Sequence, residues 1–179
     1  MAGLPDIHER FRRHTPPRWV RPTVERLLES LPAGHLGAIQ AIVLTDAATI
    51  GRGKTHRVGR RKYLRNECLG FYHPASRRQG AWIELVVDNI VPRDSSRVLL
   101  WFQLFRDWYV SKTLYHEIGH HLDATVGSAT RGGEAAAEDW RRRLSRIHAR
   151  RHYRHLKPLL RGLRLIVRLL RFVAKKCGA

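Results

Sequence analysis

The sequence predicts an α+β domain in which a small mixed β-sheet packs against a long helix, with a basic amphipathic helical extension at the C-terminal end. Three observations predict it. Short apolar runs rich in β-branched residues recur in the first half, whereas the second half carries apolar residues at four-residue spacing. A chain of 179 residues, 43% of them apolar, can bury one sizeable core. The charge is lopsided: of 34 Lys and Arg, 14 lie from Arg141 onward, where there is no Asp or Glu, so the preceding part holds 20 basic against 15 acidic residues. A body of modest charge bears a strongly cationic extension.

Residues 1–20 hold Pro5, Pro16 and Pro17 among charged residues and read as a flexible basic arm. Pro22 then opens a short helix whose apolar face is Val24, Leu27, Leu28 and Leu31, and Pro32 stops it. Ala38 to Thr45 is a nearly continuous apolar run of strand length. Residues 46–66, with Gly51, Gly53 and Gly59 among many basic residues, read as a mobile basic loop. Gly51-Arg52-Gly53-Lys54-Thr55 lacks the four-residue gap of a phosphate-binding loop. Glu67 to Tyr72 and Ala81 to Val87 read as strands, the second with Ile83, Leu85 and Val87 alternating toward a core. After Pro92, Asp94 and Ser95 can cap a helix through Phe105 that is apolar nearly all round, so it is either deeply buried, the favoured expectation, or partly turned to a membrane or partner.

The next helix organises the rest. Val110, Leu114 and Ile118 form its core-facing stripe, and His116-Glu117-Ile118-Gly119-His120 lies within it. Histidines four apart project from one helix face and can grip one metal ion, and the intervening Glu117 is placed to take a proton from water. That combination suits Zn2+ and the hydrolysis of peptide bonds. Gly119 is unfavourable inside a helix, which predicts a close neighbour there, and Gly127 suits a left-handed stop.

Such a site needs a third protein ligand, the fourth position being left to water. Asp123, Glu134 and Glu138 are the next acidic residues. Glu134 opens a run of strong helix formers after Gly132-Gly133, so a second helix can lay its first-turn carboxylate against the histidines. Glu138, one turn on, is the alternative ligand or a partner for a ligand histidine's remaining N–H.

His-Glu-Ile-Gly-His together with Glu-Ala-Ala-Ala-Glu-Asp-Trp resembles the gluzincin branch of the zinc metallopeptidases (zincins). The second motif is similar to that of compact gluzincins and of the anthrax lethal-factor catalytic domain. The resemblance, borne by about 25 residues, implies a zincin-like fold, a protein or peptide substrate, His116, His120 and Glu134 as zinc ligands, Glu117 as general base and Glu138 as supporting carboxylate. By the same analogy Ala81 to Val87 would be the edge strand that receives the peptide. A metzincin would need Gly and His where Asp123 and Val126 stand, and no His lies between His121 and His148 to serve as a third histidine ligand. Tyr109, Tyr115, His148 and Tyr153 are candidate donors to the oxyanion.

The domain is thus expected over residues 21–157, with 158–179 as the appended helix. From Leu159 the charges Arg161, Arg164, Arg168, Arg171 and Lys175 form one cationic stripe on an otherwise apolar helix, suited to an anionic membrane surface or to self-association, and less to nucleic acid. No signal peptide and no spanning helix are read, and two cysteines, Cys68 and Cys177, fit a reducing cytoplasmic setting with peripheral membrane contact. The competing reading is a non-catalytic basic protein that binds membrane or nucleic acid, its histidine pair incidental.

Overall fold

Branched apolar residues at alternating positions set the sheet, and one apolar helix stripe sets the layer against it. The computed structural model describes residues 3–51, 55–58, 61–91, 95–126 and 133–156. In chain order it comprises β1 (Asp6–Arg10), α1 (Val20–Glu29), β2 (Ile39–Thr45), the single turn α2 (Ala47–Ile50), β3 (Thr55–Val58), β4 (Arg61–Leu64), β5 (Gly70–His73), β6 (Ala81–Val86), the short α3 (Val87–Ile90), a 3₁₀ segment over Ser95–Trp101, the long α4 (Gln103–Val126) and α5 (Gly133–His152). The main sheet has the order β1-β2-β6-β5, with β1, β2 and β6 parallel and β5 antiparallel, and β3 pairs with β4 apart from it. The architecture is α+β, as expected.

Register pairs Ile42 with Ile83 and Leu44 with Leu85, so these four side chains share one sheet face. Against them lie Val24, Leu27 and Leu28 of α1 and the α4 stripe Val110, Leu114, Ile118 and Leu122, all buried. Burying each such side chain contributes about 1.5–3 kcal/mol. α5 packs along α4 and adds Leu144 and Ala137. The opposite sheet face carries Trp82 stacked on His73, ring centroids 3.7 Å apart.

Four expectations need correction. Residues 1–20 are not a structureless arm: β1 pairs with β2 through Asp6–Arg10, and Ile7 packs against the core. The cause is Asp46, at the end of β2, whose Oδ2 accepts the consecutive backbone N–H groups of Arg12, Arg13 and His14 at 2.9, 2.7 and 2.9 Å. Burial would raise the Asp46 pKa, but these bonds and those from Thr49 hold it far below the usual carboxylate range. Within 46–66, β3 and β4 pair across four residues each, a ladder made by backbone groups and therefore invisible to apolar patterning. Ala81 to Val87 is not an edge: β6 lies between β2 and β5, and β5 is the edge next to α4. The segment before α4 is not deeply buried, since Val98, Leu99, Trp101 and Phe102 are exposed.

The expected stop at Gly127 and the C-terminal helix 158–179, with its membrane and self-association roles, lie outside the described residues. Among the described residues no helix is long and apolar enough to cross a membrane.

Candidate metal centre

Two helices supply the donors. His116 and His120, four apart on α4, project from one face, with ring centroids 4.8 Å apart and planes at 86°. Glu134 occupies the first turn of α5. Its Oε2 lies 3.2 Å from His116 Nε2 and its Oε1 3.6 Å from His120 Nε2, and one donor atom from each of the three residues falls within 4.8 Å of the others. Zinc bonds of 2.0–2.2 Å at tetrahedral angles keep neighbouring donors about 3.3–3.5 Å apart. The two separations of Glu134 from the imidazoles, 3.2 and 3.6 Å, bracket that value, and the longer one exceeds hydrogen-bond reach. The donor set N, N, O suits zinc. With the two imidazoles about one quarter exposed and Glu134 55% exposed, these side chains are open to water.

Why α5 presents Glu134 here follows from Gly119. A Cβ at that position would stand 2.5 Å from the Ala137 carbonyl oxygen and 2.9 Å from Ala137 Cα. Only glycine lets the two helix backbones approach so closely, one residue before His120. The start of α5 is fixed too: Gly133, at φ +53°, donates its N–H to Asp123 Oδ2 on α4 at 3.3 Å. Gly119→Ala therefore tests the site's construction. Alanine in a helix ordinarily gains about 1 kcal/mol over glycine, whereas overpacking against backbone costs about 1–3 kcal/mol. The second effect wins here, because the obstructing atoms are main chain. The expected outcome is a melting temperature several degrees lower and zinc affinity weakened about tenfold or more, read by thermal melts and zinc titration. An unchanged melt with unchanged affinity would contradict the close contact.

Glu117 faces a different neighbour. One residue on from His116, it is rotated about 100° toward the edge strand β5 and is buried. Gly70 makes room for it, since a Cβ there would meet Thr113 Cγ2 at 2.8 Å and Glu117 Cγ at 3.2 Å. Burial, and secondarily the negative charge of Glu134, pushes the Glu117 pKa up to about 8, while the Tyr72 backbone N–H donates to its carboxylate and opposes the rise. A group so placed can both take and return a proton near neutrality.

His121 turns away from the donors. Its Nε2 donates to the Gly37 carbonyl at 2.7 Å, so Nδ1 accepts from the Tyr72 hydroxyl at 3.2 Å. Burial lowers its pKa, which favours that neutral tautomer. Tyr72 is thereby held at both ends, backbone to Glu117 and hydroxyl to His121.

Other expected residues stand elsewhere. Glu138 is not a partner of the histidines. Arg141 holds its two oxygens at 2.5 and 2.6 Å and Arg142 adds a contact at 3.2 Å, and the Arg141 bond above all pulls its pKa down to about 2. Guanidinium groups three and four residues along the same helix outcompete imidazoles on the neighbouring one. Of the oxyanion candidates, Tyr115, His148 and Tyr153 commit their polar atoms to a buried network with Ser30, Leu27 and Asp107. Tyr109 packs on the core and against Trp108. Ser30, His148 and Asp107 line up in the order of a nucleophilic triad, Ser30 Oγ 3.1 Å from His148 Nδ1 and His148 Nε2 3.0 Å from Asp107 Oδ2. All three are at most 4% exposed and Ser30 donates to Leu27, so no substrate reaches them.

No protein-family model, curated protein or solved structure matches this chain. Sequence reasoning missed Gly70, Tyr72 and His121. A glycine opening a strand was the available signal for Gly70, since it often marks close approach by a neighbour.

Proposed function

We propose that the chain is a zinc-dependent metallopeptidase of the gluzincin type. The reading is carried by one observation: three donors from two helices, His116, His120 and Glu134, converge within 4.8 Å of one another beside a buried glutamate. Zinc, when bound there, would supply a Lewis acid that activates water and polarises the scissile carbonyl. Glu117 takes the proton of the attacking water and returns it to the leaving amine nitrogen. The Tyr72 N–H orients that carboxylate, and His121 fixes the strand from which it donates.

The substrate is a protein or peptide in extended form. β5 pairs on one side with β6, and its other side forms the sheet margin beside Glu117. A peptide added to that margin by backbone hydrogen bonds brings a carbonyl past the donors without requiring a particular side chain. The setting is cytoplasmic, with residues 158–179 contacting an anionic membrane surface or a second copy.

Metal analysis separates this reading from that of a non-catalytic basic protein. The purified chain is expected to hold one equivalent of zinc, and His116→Ala and Glu134→Ala each to weaken the metal at least 100-fold, an amount in keeping with losing one direct bond. Metal absent from the wild type, or retained equally by both variants, would remove the proposal.

A further inference from the structure

The turn between the 3₁₀ segment and α4 exposes large apolar side chains where a water-facing surface would carry polar ones. Trp101 is 83% exposed, Phe102 62%, Val98 68% and Trp108 50%. The chain gains nothing from this in water. The ridge side chains Val98 and Trp101 also line a trough of about 470 Å³ with Trp19, Leu100, Arg97 and Arg106. Arg106 lies 5.7 Å from the Trp19 ring and bonds the Leu100 carbonyl, so its guanidinium is fixed beside the opening. The Lys112 ammonium sits 5.0 Å from the Trp108 ring. Between Ser95 and His116 the sole acidic residue is Asp107, which is 2% exposed and paired with Arg26. The outer surface of this segment therefore presents aromatic rings and cations with no carboxylate of its own.

We infer that Trp101 and Phe102, with Val98 and Trp108, form a membrane-docking ridge that inserts into the interface of an anionic phospholipid bilayer, with Arg97, Arg106 and Lys112 facing the headgroup phosphates. Tryptophan favours this depth because its ring is amphipathic. An arginine or lysine near an anionic surface adds about 1 kcal/mol, and that increment needs the sign of charge found here. A protein partner of acidic character would satisfy the cations but would leave two bulky rings to find pockets. A bilayer accepts them without shape complementarity. The inference does not depend on the metal centre or on residues 158–179, because the ridge belongs to the folded body.

The test uses the full chain and vesicles of equimolar phosphatidylglycerol and phosphatidylcholine, compared with phosphatidylcholine alone. Wild type is expected to co-sediment with the anionic vesicles, and its tryptophan emission to be quenched by lipids brominated along the acyl chain. Trp101→Ala/Phe102→Ala is expected to bind about tenfold more weakly or worse, from partial burial of two aromatic side chains, and to lose most of the quenching. The tail is present in both proteins, so the difference reports on the ridge. Both side chains are exposed, so the variant should melt with wild type. Should it melt lower, Arg97→Glu/Lys112→Glu gives the same reading through charge, with weaker binding expected on anionic vesicles alone. Equal vesicle binding by wild type and either variant would overturn the inference. So would a ridge-dependent dimer in sedimentation velocity with no ridge-dependent lipid binding, since that would identify a second copy as the occupant.

Discussion

Glu117→Gln is expected to lower peptide hydrolysis about 1,000-fold while leaving zinc content unchanged, because glutamine keeps the shape and one acceptor oxygen but cannot take a proton. A thousandfold loss corresponds to about 4 kcal/mol of transition-state stabilisation. The amide oxygen can still accept the Tyr72 N–H, so the strand and the helix stay in register. Stability should not fall either. Burial and Glu134 already hold the glutamate pKa near 8, which means the folded protein disfavours its ionised form, and a neutral amide removes that tension. The metal-free variant is thus expected to melt no lower than the metal-free wild type. Glu117→Ala differs: it vacates the space beside Gly70 and leaves the Tyr72 N–H without its acceptor, so it should lose both activity and stability. Measuring turnover on an unstructured protein substrate together with metal content separates the cases. Turnover by Glu117→Gln close to wild type would eliminate the glutamate as base.

What could be read from the sequence was what depends on neighbours along the chain. His116 and His120 share a face because a helix repeats every 3.6 residues, and Val110, Leu114 and Ile118 are buried for the same reason. Gly119 announced a close neighbour by its unfavourable place, although not that the neighbour would be the Ala137 backbone. What could not be read depends on distant partners. β1 has one apolar residue in five and owes its place to β2 and to an aspartate more than thirty residues away. Strand order is a matter of which strands pair across the sheet, so nothing local in Gly70–His73 distinguishes an edge from an interior strand. Glu138 was a different failure, because Arg141 and Arg142 stand at helix-neighbour spacing and local charge pairing was legible without a structure. The apolar run before α4 misled through a sound rule, that hydrophobic residues lie inside, which holds better for Leu100 than for the exposed Trp101 beside it.

Replacing Asp107 by alanine is expected to destabilise the fold by about 3–5 kcal/mol, more than any change at the metal centre. This carboxylate, 2% exposed, ties three elements together: Arg26 of α1, His148 of α5 at 3.0 Å, and Tyr153 just beyond α5 at 2.5 Å. Burial would raise its pKa, but the hydrogen bonds from His148, Arg26 and Tyr153 outweigh burial and lower it. A carboxylate whose folded pKa lies below its unfolded value, about 3.9, contributes stability that is fully present above that value. The contribution fades as pH falls through the folded pKa. Wild type should therefore lose part of its margin over the variant as pH falls below the unfolded value, through the protonation of Asp107. At neutral pH the loss comes from stranding three donors in a buried place, which is costlier than losing the attraction itself. For a chain of this length it corresponds to a melting temperature lower by about 10 °C or more. Asp107→Asn should fall between, since its amide oxygen can accept from one donor while its NH₂ faces the others. A drop of under 2 °C for Asp107→Ala would mean that the buried network is dispensable. In that event α1 and α5 would be held to α4 by apolar packing and the hydrogen bonds of Tyr115 and Asp123, and the position of Glu134 would rest on the Gly119 contact and the Gly133–Asp123 bond without help from the far end of its helix.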